Sequence, residues 1–391
     1  MIYIHIPYCR SHCTYCGFYS ELLPRAGSAS SGCDEASSRK AVPSSFVDAL
    51  CAEIRSEASC AQMQAPSPPT LYIGGGTPSL LDEKSLLRIL EALEALPAWY
   101  RNDDGGYDEF TVEVNPDDIT PSYAAALLRC GVSRVSMGVQ SFDDALLHLM
   151  GRRHSGAGAL NAYRILREAL FDNISIDLIF GVSADFSIDA VRDGLLRMAA
   201  SEGHCGATCG LPQHISCYQL GVEEGSGLEK MISKGLWAMP SDEECARQYG
   251  LVCDLLRSLG YEHYEISNWA LPLRRSIHNS GYWTHAPYIG FGPGAHSLLS
   301  DGRRLVRRWN NPSLSGYLSA FAADPALPAG ELFSIAAPQN IRGGETLSPE
   351  EIREEEIMLG LRTLRGCPEH GIPPIAEKDW FVSDSIIASL L

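Results

Sequence analysis

The chain has 391 residues, 45% of them hydrophobic, which is enough to bury a full core. Its formal net charge of −17 argues against an extended nucleic-acid surface, because phosphate binding depends on clustered Lys and Arg. No apolar run reaches the roughly eighteen residues that span a bilayer. The odd number of cysteines predicts that most are reduced thiols, which are typical of a reducing compartment, so we expect the chain in the cytoplasm.

Three cysteines lie within the first sixteen residues, in the segment IHIPYCRSHCTYCGF. Cys9, Cys13 and Cys16 form a CxxxCxxC pattern directly after an apolar run, 2–6, that predicts a strand. Such a loop offers three thiolates to one metal centre, and three ligands on a four-iron cluster leave one iron open to a substrate. A structural zinc site would need a fourth ligand, for which Cys33 is the near candidate. Zinc and a chance cluster of cysteines are the alternatives.

Short apolar or β-branched runs alternate with amphipathic segments through the first two thirds of the chain. The runs predict strands at residues 2–6, 70–73, 109–114, 134–137, 174–180 and 214–220. The segments between them predict helices at 45–57, 82–96, 121–130, 143–150, 159–169 and 188–199. Six repeated βα units predict an α/β fold with a parallel sheet, arranged as a partial (β/α)6 barrel whose active site lies at the carboxyl ends of the strands.

The pattern changes after residue 220. A long helix is predicted at 242–259, followed by irregular segments rich in aromatic residues and glycine, and by a helix at 349–364. We expect three domains, namely the partial barrel at 1–220, an extension at 221–345 and a small helical tail at 346–391. Four nearby arginines are typical of a solvated face, with an anionic ligand as the alternative; they are Arg303, Arg304, Arg307 and Arg308.

The loop after the second predicted strand and the end of the third carry candidate binding residues. Gly74, Gly75 and Gly76, followed by Thr77, let the backbone approach a ligand closely, so this loop can hold an amino or carboxylate group. Glu113 ends the third strand and is placed to accept hydrogen bonds from ribose hydroxyls. These residues predict a ligand pocket at the carboxyl ends of the strands.

The fourth and fifth strands add further polar residues. Gln140 ends the fourth strand, and Arg152, one helix later, is suited to pairing with a carboxylate. Asp177 lies within the fifth strand, where a buried carboxylate needs a partner. For each residue alone, a helix cap, a turn former or a surface pair is an equal alternative. Their placement on successive strands favours one shared site.

The motifs, taken in order, resemble those of a known family. Around and after the cysteines the chain contains YIHIP, GGGTPS, TVEVNP, GVQSFDD, GRRH, SIDLIFG, HISCYQL, YEISNWA, HNSGYW and GPGAHS. This run is similar to that of the radical S-adenosylmethionine (SAM) enzymes of the oxygen-independent coproporphyrinogen III oxidase-like family, and most similar to its heme chaperone branch. The resemblance extends from Tyr3 to Gly366.

The resemblance implies a specific set of cofactors. In such proteins the three cysteines hold a [4Fe-4S] cluster, S-adenosylmethionine chelates the fourth iron, and an electron donor reduces the cluster. Carried over by motif, the residues that would line the S-adenosylmethionine pocket are Tyr3, Gly75, Gly76, Thr77, Glu113, Gln140, Arg152 and Asp177.

Two departures from the coproporphyrinogen-oxidising branch favour the chaperone branch. That branch typically carries a fourth cysteine two residues after the third, where this chain has Phe18, and it has a longer segment before the cysteine motif. The similarity implies binding of heme and its transfer to a recipient hemoprotein, with the chain peripheral at the membrane during delivery. Whether the chain is itself an enzyme stays open. An oxygen-independent coproporphyrinogen III dehydrogenase and a zinc-stabilised binding protein are the alternatives.

Heme needs an axial ligand and an aromatic wall. The segment His278, Asn279 and Tyr282 matches the HNxxY signature of the chaperone branch, so we expect these three residues at the heme. A structural hydrogen bond from His278 to a neighbouring carbonyl is the alternative. Family members usually continue for longer after the segment that ends at Gly366, so the resemblance also implies a shortened winged-helix-like tail.

Overall fold

A computed structural model describes residues 1–24, 41–57, 67–200, 210–300, 303–321 and 342–391. Cys33 lies outside these residues. The strands are β1 (Ile2–Ile6), β2 (Tyr8–Cys9), β3 (Glu21–Leu22), β4 (Thr70–Gly75), β5 (Glu109–Val114), β6 (Arg134–Gln140), β7 (Ile174–Phe180), β8 (His214–Gln219), β9 (Glu262–Glu265), β10 (Asn268–Ala270), β11 (Ile289–Phe291), β12 (His296–Ser300), β13 (Leu305–Asn310) and β14 (Arg342–Thr346).

The helices alternate with the strands in the first half and then become more frequent. They are α1 (Ser44–Ser56), α2 (Glu83–Leu93), α3 (Pro121–Arg129), α4 (Asp144–Leu149), α5 (Gly156–Glu168), α6 (Ile188–Ala200), α7 (Gly227–Ser233), α8 (Asp242–Ser258), α9 (Ile277–Trp283), α10 (Leu314–Ala320), α11 (Pro349–Gly360) and α12 (Ser383–Ala388). Among the described helices, none has the length and apolar character needed for a membrane crossing.

One nine-stranded sheet carries the fold, in the order β11-β1-β4-β5-β6-β7-β8-β10-β9. Its six central strands, β1 and β4 to β8, run parallel in sequence order with helices between them. This arrangement confirms the predicted partial (β/α)6 barrel. Three short strands extend its edges: β11 pairs with β1, while β10 and β9 continue antiparallel from β8. The sheet therefore continues past residue 220, and the predicted domain boundaries stay a prediction.

The core lies between the sheet and the helices that cover it. Apolar residues of the central strands, such as Ile4, Ile73 and Ile176, are 0% exposed, as are Phe46 of α1 and Leu195 of α6. Burying one such side chain contributes about 1.5–3 kcal/mol to the free energy of folding. The central strands are continuous apolar runs in the sequence because helices and core cover both of their faces.

Side-chain caps define where most of the helices begin. Asp82 accepts a hydrogen bond from the backbone N–H of Ser85 at 2.8 Å at the start of α2. Ser348 and Glu351 form a capping box at the start of α11. Such caps satisfy N–H groups that the first helical turn leaves unpaired. The helix predicted at 349–364 ends earlier, at Gly360, because the chain turns there and brings Gly366 against it.

The tail packs against the outer edge of the sheet. Trp380, which is 1% exposed, lies edge-on to His263 of β9 with ring centroids 4.4 Å apart. Glu377 accepts hydrogen bonds from Arg257 at 2.8 Å and lies 2.8 Å from His263 Nδ1. These contacts hold the segment around Glu377 and Trp380 against β9 and α8.

Candidate functional site

The three cysteines follow β1 on a loop at the carboxyl ends of the parallel strands. Cys9 is buried, and its Sγ accepts a hydrogen bond from Thr77 Oγ1 at 3.4 Å. Cys13 Sγ accepts one from Arg152 Nη1 at 3.4 Å. Burial raises the pKa of the Cys9 and Cys16 thiols, which disfavours their thiolates, and at Cys9 the hydrogen bond from Thr77 opposes this effect.

The described residues contain no group of three His, Cys, Asp or Glu side chains that could hold a single metal ion. An arrangement of the structural zinc type is therefore absent from this part of the chain. Thiolates of an iron–sulfur cluster bind separate iron atoms and need not meet at one point. The donor set of three thiols on one loop fits such a cluster.

A cavity of about 450 Å³ opens beside the cysteine loop. We call it the barrel cavity. It brings together most of the residues that the sequence predicts for one site, namely Cys13, Cys16, Gly75, Thr77, Glu113, Gln140, Arg152 and Asp177. The shared pocket forms because parallel strands present their carboxyl ends on one side.

Three predicted residues do not line the barrel cavity; they are Tyr3, Cys9 and Gly76. A Cβ atom at Gly76 would come within 3.0 Å of Cys9 Sγ, so glycine lets this backbone pass directly against the thiol. The Tyr3 hydroxyl lies 3.0 Å from Nδ1 of His5, and Nε2 of His5 lies 2.9 Å from the carbonyl of Tyr19. Tyr3 thus supports the loop through His5 and does not line the cavity.

Arg152 connects three parts of the site. Its Nη2 donates to Asn115 Oδ1 at 2.7 Å and to the carbonyl of Gly138 at 2.8 Å, while Nη1 donates to Cys13. Its Nε is buried and has no hydrogen-bond partner among the described residues. A buried donor without a partner is costly, so this group can serve a bound anionic ligand.

Glu113 is held by the strand beside it. Its Oε1 accepts a hydrogen bond from the Tyr72 hydroxyl at 2.8 Å, and its Oε2 accepts one from the backbone N–H of Gly75 at 3.1 Å. Burial raises the pKa of Glu113 from 4.5 to about 7. The carboxyl group is therefore fixed in position and changes charge near neutral pH.

Gln140 and Asp177 lie on neighbouring strands. Gln140 has a left-handed backbone, with φ of 66°, at a register shift that follows Gly138. A Cβ atom at Gly138 would come within 2.9 Å of Gln140 Nε2, so the glycine makes room for that side chain. Asp177 accepts a hydrogen bond from Ser136 Oγ at 3.4 Å, and burial raises the pKa of its carboxyl group. The left-handed backbone of Gln140 is strained, and such strain is concentrated at functional sites.

Sequence reasoning missed several residues of the site. Tyr72 and Asn115 hold Glu113 and Arg152, and Ser136 and Ser216 line the barrel cavity next to Asp177. The position of Asn115, directly after β5 in VNP, was a usable signal because polar residues at strand ends belong to such sites. Tyr72 gave no such signal, since it lies inside an apolar strand.

The HNxxY segment forms α9 and lies mainly at the opposite end of the strands. His278 is 1% exposed, and its Nδ1 lies 2.7 Å from Oγ1 of Thr70, the first residue of β4. Its Nε2 lies 3.0 Å from the Tyr282 hydroxyl. Glu109, the first residue of β5, accepts hydrogen bonds from the backbone N–H groups at the start of α9. Both imidazole nitrogens of His278 therefore have partners inside the protein.

A second cavity, of about 770 Å³, lies on the open side of the barrel, between the two edges of the sheet. We call it the side cavity. Residues of the turn between β9 and β10 line one wall, and α9 and α11 line others. Asn279 and Tyr218 line both cavities, so the two are adjacent, and Tyr282 lines the side cavity. His278 is not part of either lining.

Residues 3–185 match the family model described as the radical SAM superfamily. The heme chaperone HemW of Mycobacterium tuberculosis is 31% identical over 368 residues, which are 94% of this chain and 82% of that protein. The heme chaperone HemW of Bacillus subtilis is 30% identical over 389 residues, which are 100% of this chain and 89% of that protein.

A eukaryotic relative and a solved structure extend the comparison. The mitochondrial radical S-adenosyl methionine domain-containing protein 1 of Bos taurus is 31% identical over 367 residues, 93% of this chain and 73% of that protein. The coproporphyrinogen III oxidase HemN of Escherichia coli, a radical SAM enzyme, superposes with a TM-score of 0.66 at 19% identity, covering 94% of this chain and 75% of that one. The likeness to HemN, at 19% identity, concerns the fold alone. The chain belongs to the radical SAM superfamily and, within it, to the HemW family.

Proposed function

We propose that this chain is a heme chaperone, which holds a [4Fe-4S] cluster and S-adenosylmethionine, binds heme, and transfers it to a recipient hemoprotein at the membrane. An electron donor would serve the cluster. The observation that carries the proposal is that, in this chain of the HemW family, the aromatic side cavity lies directly beside the barrel cavity. Relatives named heme chaperone HemW, which match nearly the whole chain, support it.

Cys9, Cys13 and Cys16 would hold the cluster, and the barrel cavity would hold S-adenosylmethionine. A bound cluster supplies one-electron reduction at this place in the fold. Gly75 of the glycine loop lines the barrel cavity and would lie against the amino acid moiety of the ligand. The unpaired Nε of Arg152 would donate to the carboxylate of that moiety.

The adenosine end would lie further into the barrel. Glu113 is fixed by two hydrogen bonds and can accept further ones from ribose hydroxyls, and Gln140 and Asp177 line the same cavity. These residues bind and orient the ligand. The heme would lie in the side cavity, with Asn279 and Tyr282 of the HNxxY segment at its wall.

A transfer experiment tests the proposal. Anaerobically reconstituted protein is loaded with heme and mixed with an apo-hemoprotein, and the change in the Soret band is followed. Cys13→Ser is expected to lose most of the cluster iron, whereas the control Cys130→Ser, at the end of α3 and outside both cavities, keeps it. Parent protein that neither binds nor transfers heme would contradict the proposal, as would parent protein that oxidises coproporphyrinogen III to protoporphyrinogen.

A further inference from the structure

We propose that the side cavity is the porphyrin site of this chain and that His285, rather than His278, supplies a ligand to the heme iron. The inference rests on the proposed function, because it assigns a place to the heme within it. It differs from the expectation based on the HNxxY segment, in which His278 was the candidate ligand.

The surroundings of His278 do not favour metal binding. Its imidazole nitrogens lie 2.7 Å from Thr70 Oγ1 and 3.0 Å from the Tyr282 hydroxyl. The ring also packs against Tyr72 with a centroid distance of 5.1 Å. Ligation would break one of these buried hydrogen bonds and leave its partner unpaired. His278 instead positions Tyr282, whose ring reaches the side cavity.

His285 lies on the wall of the side cavity, directly after α9. Its backbone is left-handed, with φ of 56°, because it is the residue that ends the helix: the N–H of Ala286 donates back to the carbonyl of Gly281 at 3.0 Å. Its Nε2 lies 2.9 Å from Oε2 of Glu355 on α11. Iron bound at Nε2 would take the place of the Glu355 carboxylate, which has a second partner in Arg307.

Three buried polar atoms on side-cavity residues have no hydrogen-bond partner in the described part of the chain. They are Oδ1 of Asn268, Nε1 of Trp283 and Nε of Arg362. Asn268 is 4% exposed, so water reaches it poorly. Native proteins seldom leave such groups unpaired, and a bound molecule with polar edges would satisfy them. Two of the three are donors, which suits the carboxylates of porphyrin propionates.

The remaining wall is suited to a large flat apolar ring. Tyr218, Tyr282, Trp283 and Tyr288 line the cavity, and the rings of Tyr282 and Tyr288 meet edge to face at 4.8 Å. Leu359 of α11 adds an apolar side chain. A cavity of about 770 Å³ has the size and aromatic lining that cofactor sites require.

Glu355 connects ligand binding with release. Besides His285 it accepts a hydrogen bond from Arg307, which also lines the side cavity. Iron and Glu355 would compete for the same imidazole nitrogen, and a propionate would compete with Glu355 for Arg307. Binding of heme therefore loosens the contact of α11 with the wall, and re-formation of that contact favours transfer.

The test compares heme with metal-free protoporphyrin on four proteins: the parent, His285→Asn, Leu359→Phe and the control His296→Ala. Asparagine tolerates the left-handed backbone. His296 is exposed and lies outside both cavities. Binding is measured by fluorescence quenching, and iron ligation by the Soret band and electron paramagnetic resonance.

The assignment predicts that His285→Asn changes the iron spectrum and weakens heme binding by about tenfold, or ~1.4 kcal/mol, while metal-free protoporphyrin binds as it does to the parent. Leu359→Phe weakens binding of both porphyrins, and His296→Ala changes neither. If His285→Asn keeps the parent spectrum and affinity, the ligand assignment is wrong. If Leu359→Phe leaves both affinities unchanged, the cavity assignment is wrong. A parent protein that binds no heme would instead overturn the proposed function.

Discussion

Glu113→Gln should stabilise the cofactor-free protein above neutral pH. Burial raises the pKa of Glu113 from 4.5 to about 7, so the folded state holds its proton more tightly than the unfolded state does. Each pKa unit corresponds to ~1.4 kcal/mol, so an ionised Glu113 lowers the free energy of unfolding by about 3 kcal/mol. The penalty is nearly absent below pH 4.5, grows as the pH rises through 7, and is then complete. Glutamine never ionises, and it keeps an acceptor oxygen.

Urea unfolding of the cofactor-free parent and variant at pH 5 and pH 8 measures this effect. From the two pKa values we expect Glu113→Gln to be more stable by about 1 kcal/mol at pH 5 and about 3 kcal/mol at pH 8. The control Glu91→Gln, on the exposed face of α2, should stay within about 0.5 kcal/mol of the parent at both pH values. Glu113→Gln that is less stable at pH 8, or that shows the same difference at both pH values, would refute the reasoning. The same variant should bind S-adenosylmethionine about tenfold more weakly, because a neutral amide accepts hydrogen bonds from ribose less strongly.

Two further variants test the cysteine loop and the buried ionic network, each with a matched control. Gly76→Ala places a Cβ atom 3.0 Å from Cys9 Sγ and should lower the iron content after reconstitution, whereas Gly250→Ala, with nothing within 4 Å, should leave it unchanged. Equal iron contents would argue against a tight approach at the thiol. Glu53→Ala removes a carboxylate that is 0% exposed and bound to a buried guanidinium, so it should lower the free energy of unfolding by about 3–5 kcal/mol, while Asp48→Ala in an exposed pair changes it by less than about 1 kcal/mol. Urea unfolding measures the free energy that each variant loses. Similar losses for Glu53→Ala and Asp48→Ala would contradict the view that the buried ion pair of Glu53 stabilises the fold.

The parallel strands could be predicted because their signal is local. An apolar run bounded by turn residues marks a strand buried on both faces, and the predicted bounds of β1, β5 and β7 agree with the structure. The barrel-cavity residues followed from the same reasoning, since parallel strands present their carboxyl ends together. Glu113 and Asp177 are examples, and both line that cavity.

The side cavity could not be predicted, because its walls come from segments far apart in the sequence. β9 and β11, the two edge strands of the sheet, have four and three residues, too few for a periodic signal, yet Glu265 at the end of β9 and Tyr288 just before β11 line the cavity. The prediction of a solvated arginine face is wrong for Arg308, which is 6% exposed and lies 3.3 Å from Glu57. Alternate residues of β13 face opposite sides, so Arg307 lines the side cavity instead.

The most direct test of the account is an anaerobic heme titration of the cluster-replete protein in the presence of S-adenosylmethionine, followed at the Soret band. The account predicts saturable binding of heme while the absorption of the cluster is retained, because the side cavity and the barrel cavity are adjacent but separate. The absence of saturable binding, or heme binding that occurs only with loss of the cluster, would contradict it.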